Sequence, residues 1–314
     1  MTSLIPFVGQ ISYAEQCDWA RQISDKLPDV EVVPFSDLSL KDFDAVQIAI
    51  TANPDPVELD KLKNLRWIHS VWAGVERMVI ELKDKEFDIV RLVDPELSRT
   101  MAEAVLAWTL YLHRHMPQYR EQQQKKIWNE LSYKKASNTA VGILGLGALG
   151  QEAALRLKAN GYQVKGWSRS LKSVDGLETY SGDEGLTEIL KTTDILVVLL
   201  PLTDQTRGLL NERMLGLLPA GASIINFARG PIIQSEDLLA LLDGGHLSHA
   251  VLDVFDEEPL PQTSPFWEHA QITVLPHISA PTDMDTASEI VANNIRLYLE
   301  KGVTPTFIDR QRGY

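Results

Sequence analysis

Residues Ala140–Gly150 run Ala-Val-Gly-Ile-Leu-Gly-Leu-Gly-Ala-Leu-Gly, a short apolar stretch feeding directly into the pattern Gly145-Leu-Gly147-Ala148-Leu149-Gly150. Gln151 to Asn160 continue with helical character, and Tyr162 to Trp167 reads as the next strand, so the segment predicts one βαβ unit. Each glycine has a physical use there: a tight turn, a close approach of backbone to a pyrophosphate, and close packing of helix on sheet all exclude a side chain. A pyrophosphate would rest on the N-terminus of the helix, where free N–H groups and the helix dipole favour an anion. The glycine pattern alone is weak, since glycines also punctuate ordinary turns. The flanking strand and helix are what point to a dinucleotide.

The end of the second strand speaks to which dinucleotide. A carboxylate about 20 residues past the glycines would suit the ribose 2′-OH of NAD. Here the strand ends in Ser168-Arg169-Ser170, with Lys172 close behind. A 2′-phosphate brings roughly two negative charges that a carboxylate would repel and a guanidinium grips bidentately. These residues therefore favour NADPH, with NADH still possible. A solvated arginine in a surface loop is the plainer alternative.

Some 140 residues precede this unit, so another domain must form first. Strand-like runs at Leu4–Val8, Glu31–Phe35, Ala45–Ile50, Arg66–Val71 and Ile89–Val93, with a helical stretch at Ala14–Leu27, predict a smaller parallel α/β domain. A helix is expected from Ser98 to about His115, and a second, very polar one from Gln118 to Leu131 that reaches toward a neighbouring subunit. After the fingerprint, strands are expected at Asp194–Leu200, Ala222–Phe227, His249–Leu252 and Ile272–Leu275. The last helix, about Asp283–Lys301, has no strand after it to serve and is expected to return to the first domain. The expected architecture is α/β with two doubly wound parallel sheets: a Rossmann nucleotide-binding domain, 99–282, inserted in a flavodoxin-like substrate domain, 1–98 and 283–314.

Composition narrows the setting. The formal net charge of −13 disfavours nucleic acid and anionic membranes as partners, although a locally basic pocket for an anionic substrate remains compatible with it. No run approaches 18 apolar residues, the N-terminus lacks a basic n-region, and the single cysteine, Cys17, forms no intrachain disulfide. A cytoplasmic, non-membrane protein is expected.

Three later segments, each following an expected strand, hold side chains suited to 2-oxo acid chemistry: Asn226-Phe-Ala228-Arg229-Gly230, Asp253-Val-Phe-Asp-Glu-Glu258-Pro259, and Leu275-Pro276-His277. The carboxyl ends of strands in an open parallel sheet line one crevice, so these can converge. Arg229 suits a substrate carboxylate and carbonyl, His277 a general acid, and Glu258 the orientation of that imidazole. Singly, each has an innocent reading: a turn, a solvated acidic loop, a structural histidine beside a proline. No metal-binding set is assigned.

As an ordered set with Leu200-Pro201-Leu-Thr203 and Leu252-Asp253-Val-Phe255, they resemble the D-isomer-specific 2-hydroxyacid dehydrogenases over nearly the whole chain, and most the glyoxylate/hydroxypyruvate reductase A branch. The resemblance implies Arg229, Glu258 and His277 as the catalytic set, and Ala73-Gly74-Val75 as a backbone loop for the substrate carboxylate, with Arg229 and His277 also touching substrate. It implies Asp253 facing the nicotinamide carboxamide, Leu200 and Pro201 near the adenosine, and Ala228 beside the cofactor. The C-terminal Arg-Gly-Tyr314 also resembles this branch. Trp72 departs from the glycine many relatives carry there, and either narrows the pocket or packs under the loop; Trp267 either walls the substrate site or staples the loop before His277. The implied reaction reduces glyoxylate to glycolate, or hydroxypyruvate to D-glycerate, in a cleft between domains of a homodimer. Two rivals share the fold: a cofactor-sensing corepressor-like protein, and an NAD-dependent dehydrogenase for 3-phosphoglycerate.

Overall fold

The computed structural model describes residues 3–310; the ending Arg312-Gly313-Tyr314 lies outside the described residues. The chain divides into two compact units, one made of the chain up to Glu96 and again from Thr282, the other of Leu97–Pro281.

The first unit contains β1 (Ser3–Gly9), α1 (Tyr13–Ser24), β2 (Val30–Pro34), β3 (Ile48–Ala52), α2 (Pro56–Leu59), β4 (Trp67–Ser70), α3 (Glu76–Glu81) and β5 (Asp88–Val90). Its strands lie in the order β2-β1-β3-β4-β5, all parallel, which is the flavodoxin-like arrangement. Alternate residues feed two cores. Ile5, Phe7, Ile48 and Ile50 pack with Trp19 and Ile23 of α1, whereas Val8, Ala49, Ile68 and Ile89 pack on the opposite side. Both faces are covered, as parallel strands require.

The closing helix, Met284–Lys301, belongs to this unit. Ala287, Val291, Ala292 and Ile295 form its buried stripe and enter the same core as α1. The Asp283 carboxylate caps its first turn by accepting from the Thr286 N–H at 2.9 Å. The Asn294 amide donates to His69 Nε2 at 2.9 Å, while His69 Nδ1–H donates to the Ser70 carbonyl at 2.8 Å. Burial pushes the His69 pKa down to about 4, so the ring works as a neutral hydrogen-bonding spacer between β4 and this helix.

The second unit contains α4 (Pro95–His113), α5 (Met116–Lys125), β6 (Ala140–Leu144), α6 (Ala148–Ala159), β7 (Gln163–Ser168), β8 (Glu178–Ser181), α7 (Gly182–Lys191), β9 (Ile195–Val198), α8 (Glu212–Leu215), β10 (Ala222–Asn226), α9 (Ser235–Asp243), β11 (Leu247–Leu252) and β12 (Ile272–Val274). Its seven strands run β12-β11-β10-β9-β6-β7-β8, all parallel. This is the doubly wound Rossmann order, extended by one strand, with its switch point between β6 and β9. Leu144, Leu196, Ile224 and Leu252 face one core, and Ile143, Val197, Ile225 and Val251 the other.

Two elements differ from the sequence expectation. The polar helix α5 ends at Lys125, because Lys126 takes a left-handed backbone (φ 54°), and the chain then folds back with Leu131 N–H donating to the Tyr119 hydroxyl at 3.0 Å. The edge strand β8 was not anticipated. Glu178-Thr-Tyr-Ser181 has no apolar run of its own and is held by pairing with β7. Among the described residues no helix is long and apolar enough to cross a membrane.

Candidate active site

One register line crosses six strands of the second sheet: Trp167, Leu144, Val198, Asn226, Leu252 and Val274 are successive partners. Everything just beyond that line emerges at one carboxyl edge, where ligands of open α/β sheets bind.

Around β6 the three glycines divide the expected tasks. Gly145 has φ 109°, and a Cβ there would sit 2.6 Å from the Leu199 carbonyl oxygen. A Cβ on Gly150 would fall 1.8 Å from the Gly145 oxygen, so only glycine lets α6 lie this close to its strand. Gly147 meets nothing within 4 Å and is exposed, which leaves its backbone open to an approaching phosphate. It is also the N-cap of α6 and supplies no side-chain cap, so the N–H groups that begin at Ala148 and Leu149 face the open side of the turn. This cradle fits the pyrophosphate of a dinucleotide.

At the end of β7, the buried Ser168 hydroxyl closes the turn by donating to the Ser170 carbonyl at 2.8 Å. Arg169 and Ser170 are exposed, and Arg169 Nη1 donates to Gln205 Oε1 at 3.4 Å. Lys172 Nζ donates to the Leu146 carbonyl at 2.8 Å, and Gln151 Nε2 donates to the same oxygen at 2.9 Å. The basic loop and the glycine turn are thus tied together by the peptide oxygen between Gly145 and Gly147. Leu200 is buried in the core after β9, and the Pro201 carbonyl accepts from Thr206 Oγ1 at 2.7 Å.

Beyond β10, the Asn226 side chain folds the loop that presents Arg229. Its Oδ1 accepts from the Ala228 N–H at 3.2 Å and its Nδ2 donates to the Arg229 carbonyl at 3.1 Å. Arg229 is half-buried, with Nη1 donating to the Ala228 carbonyl at 2.6 Å. Gly230 follows where a Cβ would collide with the Phe255 carbonyl carbon at 2.1 Å, so this loop lies flush against the one leaving β11. Asn226 shapes this loop from within, and Gly230 fits it against its neighbour.

Glu258 and His277 meet directly. His277 Nδ1–H donates to Glu258 Oε2 at 2.7 Å, and Glu258 Oε1 accepts from the Phe255 N–H at 2.9 Å. The bond from Glu258 raises the His277 pKa above its ordinary value; burial and the Arg229 charge oppose this, and the charges of Glu258 and Asp253 reinforce it. Burial pushes Glu258 upward, but the His277 and Phe255 hydrogen bonds with the charges of His277 and Arg229 hold it below the usual carboxylate value. Arg229 thus acts electrostatically on both members of the pair. His277 itself has φ 54°, a left-handed backbone costing about 1–2 kcal/mol for a residue with a Cβ. The imidazole is half-exposed, and Nδ1 is the nitrogen that Glu258 holds. Asp253 is 2% exposed, and its two oxygens accept from the Ile278 N–H at 2.7 Å and the Ser279 N–H at 2.9 Å.

These arrangements decide the relationship. Residues 106–279 match the family of D-isomer specific 2-hydroxyacid dehydrogenases over its NAD binding domain. The chain belongs to the D-isomer-specific 2-hydroxyacid dehydrogenases. It is an NAD(P)-dependent oxidoreductase of that family. It is 36% identical over 303 residues to a glyoxylate/hydroxypyruvate reductase A of Salmonella paratyphi B, covering 94% of this chain and 96% of that one. The corresponding figures for a reductase A of Yersinia enterocolitica are 35% over 309 residues, 96% and 97%. Among solved structures, a D-isomer specific 2-hydroxyacid dehydrogenase of Xanthobacter autotrophicus in complex with NADPH and MES superposes with a TM-score of 0.93 at 33% identity, covering 100% of both chains. An NADPH-dependent glyoxylate/hydroxypyruvate reductase of Sinorhizobium meliloti in complex with NADP and sulfate gives 0.90 at 32%, covering 99% of this chain and 100% of that one. The 2-hydroxyacid dehydrogenase branch that this chain joins is therefore that of the reductases A.

In the first unit, Ala73, Gly74 and Val75 follow β4. Ala73 and Gly74 are half-exposed, while Val75 is buried and precedes α3. Trp72 packs against the core shared by α1 and the closing helix, and its carbonyl accepts from the Leu92 N–H at 3.1 Å. Trp267 is 51% exposed, with its indole N–H donating to the Pro261 carbonyl at 2.9 Å.

Proposed function

We propose that this enzyme reduces small 2-oxo acids with NADPH, glyoxylate to glycolate and hydroxypyruvate to D-glycerate. The observation that carries the reading is the Glu258–His277 pair under the field of Arg229, at the carboxyl edge of a sheet whose β7 is followed by Arg169. Bound NADPH supplies a hydride to the carbonyl carbon. His277 holds its proton at Nε2 and delivers it to the carbonyl oxygen as charge develops there, and Glu258 keeps the imidazole charged and oriented through Nδ1. Arg229 binds the substrate carboxylate and polarises the carbonyl. The N–H groups of Ala73, Gly74 and Val75 are assigned to a substrate carboxylate, as a backbone nest needing no positive side chain.

Gly145, Gly147, Ala148, Leu149 and Gly150 hold the pyrophosphate in this reading, Arg169 with Ser168, Ser170 and Lys172 the 2′-phosphate, and Leu200, Pro201, Ala228 and Asp253 the rest of the cofactor. Purified protein is expected to oxidise NADPH rapidly with glyoxylate or hydroxypyruvate, and more slowly with NADH, pyruvate or 3-phosphohydroxypyruvate. Absence of turnover with every pair, despite tight nucleotide binding, would favour a sensing role. Arg169→Asp is expected to reverse the cofactor preference by raising KM for NADPH while leaving KM for NADH near its original value. An unchanged ratio of the two would remove Arg169 from the 2′-phosphate site.

A cytoplasmic homodimer completes the reading. Trp128 is 97% and Ile127 51% exposed, on a segment fixed to α5 by the Tyr119 hydroxyl and by Gln122 Oε1, which accepts from the Asn129 N–H at 3.2 Å. Residues 114–135 carry six Lys or Arg against two Glu, in a chain of net charge −13, so a second acidic copy is a complementary partner. Light scattering is expected to give twice the chain mass, and Trp128→Glu to lower it toward one chain. A monomeric parent protein would end this assignment.

A further inference from the structure

We propose that Gln151 and Lys172 are positioning residues for the cofactor: together they lock the peptide between Leu146 and Gly147 and so aim the glycine turn at the pyrophosphate. The proposal rests on the reading of that turn as the pyrophosphate site.

Gly147 has open space around it and, as a glycine, takes either sign of φ, so nothing in its own backbone stops the preceding peptide from turning over. The restraint comes from outside the turn. The Leu146 carbonyl accepts from Gln151 Nε2 at 2.9 Å and from Lys172 Nζ at 2.8 Å, a donor for each of its two lone pairs. Gln151 reaches back from the first turn of α6, and Lys172 comes across from the loop after β7. The Leu146 side chain is fully buried and sits over Gly166 of β7, where a Cβ would lie 2.5 Å from Leu146 Cδ2. Side chain and carbonyl are thus held by separate partners.

In a planar trans peptide the C=O and the N–H point in opposite directions, so a carbonyl held by these two donors turns the Gly147 N–H away from them. The helix N–H groups that follow, from Ala148 and Leu149, take their direction from the same fixed peptide. A peptide turned over would set an oxygen where an N–H belongs, a repulsion against phosphate in place of a hydrogen bond. Fixing the peptide beforehand removes that rearrangement from the binding step. Lys172 therefore serves the pyrophosphate in addition to the 2′-phosphate assigned to it, whereas Gln151 serves the pyrophosphate alone.

The test uses two probes that each carry one part of the cofactor: ADP, with a pyrophosphate and no 2′-phosphate, and 2′-AMP, with the reverse. Binding of each to the full-length protein is read by calorimetry, beside that of NADPH and NADH. Gln151→Met keeps the length of the side chain and removes the donor. It is expected to weaken ADP, NADPH and NADH alike by about three- to tenfold and to leave 2′-AMP unchanged. Arg169→Asp should give the opposite pattern, with 2′-AMP lost and ADP kept. Unchanged ADP binding in Gln151→Met, or equal loss of ADP and 2′-AMP, would overturn the proposal.

Lys172→Met is expected to weaken both probes, and Lys172→Arg, which retains a donor for the Leu146 carbonyl, to restore ADP. This pair carries the test even if Gln151→Met does not fold. An arginine variant that binds ADP no better than the methionine variant would refute the part given to Lys172. If the parent protein binds 2′-AMP and not ADP, the pyrophosphate reading itself fails. If it binds both, and Gln151→Met does so equally well, that reading stands and the lock alone is refuted.

Discussion

Alanine in place of His277 is expected to lower kcat for 2-oxo acid reduction by about 10² to 10⁴ while leaving NADPH affinity unchanged. The imidazole touches the reacting oxygen and not the nucleotide in this reading, so its loss falls on the transition state. Its pKa is raised, first by the bond from Glu258, so the protonated acid persists above the ordinary range near 6.5. Reduction needs that proton. The rate is therefore expected to be level below the raised value and to fall as pH climbs through it, while oxidation of the hydroxy acid, which needs the neutral ring, gains over the same interval. Near-normal turnover in the alanine variant would remove His277 as the donor.

Arg229→Ala is expected to damage binding and chemistry together, with kcat down by about 10² to 10³ and KM for glyoxylate raised. A cation shared between the carboxylate and the carbonyl oxygen contributes in the ground state and more strongly as negative charge develops. Arg229→Lys is the sharper comparison, since it retains the charge and loses the planar fork. Recovery of most activity with lysine would mean that charge alone suffices and would sink the bidentate reading. The loop itself should survive either change, because Asn226 closes it through main-chain atoms.

The features legible in the sequence were those governed by local rules. Glycine at 145, 147 and 150 has few physical uses in a strand–turn–helix, and the strands after it alternate between two buried faces, which a reader can infer from apolar runs. What escaped depended on partners far along the chain. β8 has no apolar run to betray it, since it lies at the sheet edge and is held by β7. The end of α5 rests on a left-handed lysine, a conformation that residue type does not announce. The backbone partners of Asp253 are of the same kind. The two amides it binds lie across the sheet edge, and no spacing within Leu252–Phe255 points to them.

Asp94 sits where the chain leaves the first unit, and Thr286 where it has come back. Asp94 Oδ1 accepts from the Glu96 N–H at 2.8 Å at the start of α4, and Oδ2 from the Thr286 hydroxyl at 2.6 Å. During synthesis these two points are separated by the whole of Leu97–Pro281. The second unit can assemble from contiguous chain as it emerges, whereas the first must wait, its Phe7 and Trp19 core uncovered, until Ala287 to Ile295 arrive. That unfinished core is apolar surface left bare on the newborn chain until its last helix arrives.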